Sequence, residues 1–290
     1  MRCVINRRTQ FSASHRYWLN ELSDAENFQQ FGLCSRFPGH GHNYVLYVSL
    51  GGELDEYGMV QNLSEVKQVI KSEITNQLDF AYLNEVWPEF QQTLPTTENM
   101  ARVIWQRLAP HLPLANIQLF EHPELWADYQ GNGMEAYLTL STHFSAAHRL
   151  ACPDLSYEEN SEIYGKCARP NGHGHNYHLE VTVKGEIDPR TGMIVDLEAL
   201  QKVIEDYVVE QFDHTFLNKD ILYFARVVPT AENIAIHIGH LLHLPIQKLG
   251  AVLHKIKLIE SPNNSCEVYC SELNSSSTTT QLNESALKLI

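Results

Sequence analysis

The stretch Gly39-His40-Gly41-His42-Asn43-Tyr44 recurs as Gly172-His173-Gly174-His175-Asn176-Tyr177. Its upstream neighbourhood recurs with it. FSASHR (11–16) returns as FSAAHR (144–149), and FGLCSRFPGHGHNY (31–44) returns as YGKCARPNGHGHNY (164–177), both at a shift of 133. Between Phe11 and Tyr44, 18 of 34 positions match their counterparts, far above chance, so the chain is an internal duplication. After one inserted residue the shift is 134. GMVQNL (58–63) then meets GMIVDL (192–197), LDFAYLN (78–84) meets FDHTFLN (212–218), and PTTENMA (95–101) meets PTAENIA (229–235). The turn-rich YQGNG at 129–133 marks the join. The expected organisation is an N-terminal unit 1–133, a C-terminal unit 134–273 and a polar, disordered tail 274–290.

Each unit reads as strand, strand, helix, helix, strand, strand. YHLEVTVKGEI (177–187) alternates as a half-buried strand does. In 196–212, Leu197, Leu200, Val203, Ile204, Tyr207 and Val208 form one helical stripe, with Asp196 as N-cap. Thr230 can cap a second helix after PTAEN. IQLFEH with LWADY, and HKIKLIES with CEVYC, supply the closing strands. Helices on one face of an antiparallel four-stranded sheet give an α+β sandwich.

Bulk properties narrow the function. The chain has 290 residues and a formal net charge of −14. An acidic surface disfavours nucleic acid and anionic membrane as partners, since both need a basic footprint. No run of about 18 apolar residues suggests a membrane span. Six scattered cysteines, without a CxxC pair, fit reduced thiols and a cytoplasmic location. No dinucleotide fingerprint or Walker loop follows a strand.

Residues i and i+2 of a strand share a face, so His40 with His42, and His173 with His175, aim one way. A single HxH pair is also an ordinary polar strand edge. Here each pair comes with a third histidine 25 residues upstream, His15 or His148, and all three are kept in both copies. Three imidazoles without a fourth protein ligand form the pattern of catalytic zinc. Cys34 and Cys167, six residues before each pair, are candidate nucleophiles or bases, or else buried apolar cysteines. Asp213-His214 can form a proton relay; the first unit keeps Asp79 but has Phe80 in place of the histidine. Glu121 and Glu260 occupy matching strand positions, where a carboxylate can accept two N–H bonds from a guanidine-like ring edge or stay solvated.

With these motifs in order, each unit resembles the 6-pyruvoyltetrahydropterin synthase / 6-carboxytetrahydropterin synthase family, whose bacterial branch includes the queuosine-pathway enzyme. The resemblance covers about 1–130 and 134–270 and is most specific in the second unit. It implies a tunnelling fold (T-fold), with sheets joined into barrels; three chains would supply six T-fold units as a homo-oligomer. It implies 7,8-dihydroneopterin triphosphate as substrate and Zn2+ on His148, His173 and His175, and by repeat on His15, His40 and His42. Cys167 would move the proton, with Asp213 and His214 as relay. Glu260, with Thr230 and Glu232, would anchor the pterin. The product would be 6-pyruvoyltetrahydropterin; alternatives are the carboxy product with acetaldehyde, an aldolase- or epimerase-like outcome, or a non-catalytic zinc- or pterin-binding assembly. The first unit, with Cys34, Asp79 and the pterin-anchoring Glu121, would hold metal and pterin but lack its own relay. In this family the cysteine and the Asp-His pair come from different protomers, so either Cys34 would face Asp213-His214 of another unit, with Cys167 left opposite Asp79-Phe80, or C-terminal units would serve each other.

Overall fold

The computed structural model describes residues 2–271; the tail expected at 274–290 lies outside them. The chain forms two compact units. One contains the chain up to Leu140 plus Lys184–Leu200; the other contains Ser141–Val183 plus the chain from Gln201. The spatial division therefore differs from the sequence join at 129–133, because 184–200 of the second repeat clusters with the first.

In the first unit, β1 (Arg2–His15), β2 (His40–Glu53), β4 (Leu114–His122) and β5 (Leu125–Tyr129) form an antiparallel sheet ordered β5-β4-β2-β1. The two-residue β3 (Ala81–Tyr82) lies parallel on the outer edge of β1. The β1–β2 register pairs Phe11 with Tyr44, Ala13 with His42 and His15 with His40. Tyr44, Leu46, Val48 and Leu50 are fully buried at period two, the signature of one covered face. Helix Thr97–Leu108 contributes Met100, Ile104 and Leu108 to the core. Each such side chain contributes roughly 1.5–3 kcal/mol on burial.

The second unit repeats this plan. The C-terminal half of β6 (Glu135–His148), then β7 (His173–Glu186), β9 (Val252–Ser261) and β10 (Asn264–Tyr269), are ordered β10-β9-β7-β6. β8 (Thr215–Phe216) lies parallel on β6, with Ala146 opposite Thr215. Asp196 caps its helix by accepting from the Ala199 N–H at 2.9 Å, and Asn62 does the same for Ser64. The Asn62/Asp196 difference between repeats is therefore a change of cap residue.

Two features depart from the sequence reading. A short helix sits between the first two strands of each repeat, Asp24–Phe31 and Tyr157–Tyr164, each opened by a capping box (Ser23 with Glu26, Ser156 with Glu159). The 196–212 stripe also runs differently. Leu200, Ile204, Val208 and Phe212 are buried, while Tyr207 is exposed. A π-helical turn at Glu205–Val209 is the cause: wider turns bring every fourth residue back to one face. The first repeat does the same with Val66, Ile70, Ile74 and Leu78 around Lys71–Thr75.

Candidate active site and metal centre

In the second repeat, β6 and β7 bring His148, His173 and His175 together, with one ligand nitrogen from each within 4.8 Å of the others. His148 Nδ1 lies 2.8 Å from the Pro229 carbonyl. A carbonyl only accepts, so Nδ1 carries the proton and Nε2 presents a lone pair. That Nε2 lies 3.1 Å from His173 Nε2, while His175 Nε2 is buried with no hydrogen-bond partner. Burial, then the neighbouring imidazole, lowers the His173 pKa; burial is also the main cause for His148. The Tyr177 hydroxyl stands 3.4 Å from His148 Nδ1. Glu260, on β9, holds its Oε1 3.7 Å from His175 Nε2 and 3.8 Å from His148 Nε2. Three imidazoles converging on one point, with an orphaned buried nitrogen, fit a borderline-soft divalent cation such as Zn2+.

The first repeat reproduces the triad and brings its carboxylate closer. His15 Nδ1 faces the Pro95 carbonyl at 3.2 Å, and its Nε2 lies 3.2 Å from His40 Nε2. Burial pushes the His15 pKa down to about 4. His42 Nε2 is again buried and without a hydrogen bond, but Glu121 Oε1 stands 3.3 Å away. Glu121 thus joins the three histidines as a fourth potential ligand. Its other oxygen accepts from the Thr97 hydroxyl at 2.6 Å. Ala231 occupies the Thr97 position of the second repeat and offers no such bond. In both repeats the glycine before the first histidine, Gly39 or Gly172, has positive φ, and a Cβ there would run into the carbonyl of His15 or His148.

The segment 192–194 packs beside the first site, on the residues next to Thr97. The Thr96 hydroxyl donates to the Gly192 carbonyl, and the Ile194 N–H donates to Glu98 Oε1 at 3.0 Å. Burial pushes the Glu98 carboxyl up to about 7. Met193 packs with Cys34 on a cluster of Tyr17, Leu19, Phe31 and Leu94. Burial, followed by Glu121 and Glu198, pushes the Cys34 thiol up to about 11, which makes it a poor source of thiolate. Cys167 sits in the matching 3-10 turn Gly165–Ala168, whose Cys167 carbonyl accepts from Leu150 N–H at 3.0 Å.

The relay candidates lie elsewhere. Asp213 Oδ1 accepts from Ser145 N–H at 2.7 Å, and its Oδ2 accepts from His214 Nδ1 at 2.7 Å. Its pKa is lowered, first by the Ser145 N–H and then by His214. His214 has φ 57°, and its side chain is 84% exposed. It belongs to no metal-ligand group among the described residues. A positive φ on a histidine costs roughly 1–3 kcal/mol and is held here by the His214 N–H donating to Ser145 O. Asp79 and Phe80 copy the turn, with φ 58° and Asp79 accepting from Ser12 N–H at 2.9 Å; only the ring differs. The Thr230 hydroxyl accepts from Asn233 N–H as a helix cap, and Glu232 is exposed.

Sequence reasoning passed over Glu98, Thr97, the two tyrosines of GHGHNY and the carbonyls of Pro95 and Pro229. Glu98 was findable, because it matches Glu232 in the repeat alignment. The carbonyls have no side-chain signature.

The profile of the family described as "6-pyruvoyl tetrahydropterin synthase" matches residues 4–132 and again 137–271. The 6-pyruvoyl tetrahydrobiopterin synthase of Homo sapiens is 46% identical over 136 residues, 46% of this chain and 91% of its own length. That of Drosophila melanogaster is 44% identical over 129 residues, 44% of this chain and 76% of its own. A putative 6-carboxy-5,6,7,8-tetrahydropterin synthase of Archaeoglobus fulgidus is 29% identical over 134 residues, 46% of this chain and 96% of its own. The solved 6-pyruvoyl tetrahydropterin synthase of Caenorhabditis elegans is 39% identical, with a TM-score of 0.45 over 47% of this chain and 96% of that one. With both repeats matched in turn, the chain belongs to the 6-pyruvoyl tetrahydropterin synthase family of lyases, as two T-fold units in tandem.

Proposed function

We propose that the chain is a zinc-dependent lyase converting 7,8-dihydroneopterin triphosphate to 6-pyruvoyltetrahydropterin with loss of triphosphate. The observation that carries this reading is the meeting of His148, His173 and His175 nitrogens around a buried, unpartnered His175 Nε2. Zinc bound there supplies Lewis acidity toward the substrate's side-chain hydroxyls. The protein's own part is proton movement and grip. Cys167 takes and returns the proton at the substrate side chain. Asp213 fixes the His214 tautomer through the 2.7 Å bond, leaving Nε2 free to relay it. Glu260 offers its carboxylate to the pterin ring edge, assisted by Thr230 and Glu232. The outward pose of His214 supports service to a site in another copy, and three chains supplying six T-fold units would bring such sites together. The carboxy product is the weaker reading, since pyruvoyl synthases match at 39–55% identity against 29–31% for two carboxy synthases.

One observation favours a different role for the first repeat. Its cluster counts four candidate ligands, His15, His40, His42 and Glu121, against three in the second. Closed four-ligand sites are structural, and open three-ligand sites are catalytic. With the Cys34 thiol pushed up to about 11 by burial, and Phe80 of another copy rather than a His214 facing it, the first site keeps metal without turning over substrate. Incubating the zinc-loaded chain with 7,8-dihydroneopterin triphosphate, with Cys167→Ala and Cys34→Ala in parallel, tests both readings. Loss of turnover is expected with Cys167→Ala alone.

A further inference from the structure

The second repeat carries a pocket that the first repeat fills. It encloses about 440 Å³ and is lined by Arg149, Lys219, Phe216 and Phe224, with Ala151 and Pro170 at its rim and Cys152 in its wall. None of the three imidazoles lines it, and neither does any carboxylate. That is unusual in a chain with 35 acidic and 21 basic residues.

The internal duplication shows what has changed. Arg16 and Arg149 are held alike: Arg16 Nε donates to Ser35 O at 2.6 Å, and Arg149 Nε donates to Ala168 O at 2.8 Å. Asn84 and Asn218 grip the backbone of each arginine at both its N–H and its carbonyl. The surroundings then diverge. The Arg16 guanidinium lies 3.7 Å from the Trp18 ring centroid and 5.7 Å from that of Phe37. The repeat shift places Ala151 and Pro170 at those two positions. Both aromatic plugs are gone, and the space beside the arginine is open. The charge changes as well. Glu85, which with Arg16 acts on the Tyr82 hydroxyl, is replaced by Lys219, whose Nζ lies 4.9 Å from the Phe216 ring centroid. Among the described residues neither Arg149 nor Lys219 makes an ion pair, so their charges face the pocket uncompensated.

A guanidinium fork, an ammonium, aromatic walls and no acid form a site for an anion attached to a flat apolar body. We propose that this pocket binds a phosphate-bearing small molecule, the phosphate on Arg149 and Lys219 and its organic part against Phe216 and Phe224. The site is separate from the histidine cluster and independent of the activity proposed above.

Calorimetric titration of the full chain with phenyl phosphate, and with phenol as the uncharged control, tests it. Phenyl phosphate is expected to bind and phenol is not. Lys219→Glu, which restores the charge of the first repeat at an exposed position, should weaken phenyl phosphate by about tenfold or more, the loss of one charge-assisted contact plus repulsion. Ala151→Trp, which restores the plug, should abolish binding with zinc content unchanged. Should Ala151→Trp fail to fold, Lys219→Glu decides alone. The proposal is overturned if phenol binds as well as phenyl phosphate, if both variants bind like wild type, or if wild type shows no heat in the millimolar range.

Discussion

A histidine whose Nδ1 donates to a carbonyl has one lone pair left, and its direction is set by the strand that carries it. His15 and His148 meet that condition through Pro95 and Pro229, residues about 80 positions away in sequence. The two clusters therefore predict two zinc ions per chain by elemental analysis. His173→Ala should leave one, and His40→Ala with His173→Ala none. Glu121→Gln should speed chelator removal of the first zinc only, by roughly 10–100-fold if Glu121 is a ligand or orients one. Equal release rates in wild type and variant would return Glu121 to a pterin-anchoring role. At this scale the two histidine clusters were readable in the sequence because strand period and duplication agreed on them. The carbonyls that orient them were not, since a main-chain oxygen leaves no mark on residue type.

The same limit operates on the elements. The strands and the two main helices of each repeat follow from alternation and capping residues. The π-helical turns do not, because a stripe at spacing four is ambiguous between a drifting α-helix and a locally widened one. Two predictions belong here. Asp196→Ala removes the side-chain acceptor for Ala199 N–H and should cost about 1 kcal/mol in urea unfolding. On helix Ala231–Lys248, His237 stacks on Tyr223 at 4.1 Å between centroids, and burial pushes its pKa down to about 4. The unfolded chain takes up that proton near pH 6.5 and the folded chain only near 4. Stability should therefore fall as pH drops through this window, by up to about 3 kcal/mol from this one group. His237→Phe keeps the stack, so its unfolding midpoint should decline less than wild type between pH 7 and 5. Parallel decline would remove His237 from the account.

At the scale of the molecule, one sequence motif has been used twice to different ends. The first copy sets Glu121 and Thr97 beside its histidines, bonds 192–194 to Thr96 and Glu98, and pushes its cysteine thiol up by burial. The second keeps its three clustered histidines, a more exposed carboxylate and the Asp213-His214 turn. The duplication and the replacement of His214 by Phe80 were legible from residue identity alone. The packing of 192–194 on Thr96 and Glu98 was not, because that segment comes from the other repeat, and long-range packing of that kind has no local periodicity. Identification by mass of the products formed from 7,8-dihydroneopterin triphosphate by the zinc-loaded chain tests the central claim most directly. The account predicts 6-pyruvoyltetrahydropterin and free triphosphate, abolished by Cys167→Ala and retained by Cys34→Ala. Triphosphate retained on the pterin, or turnover that survives Cys167→Ala and stops with Cys34→Ala, would contradict it.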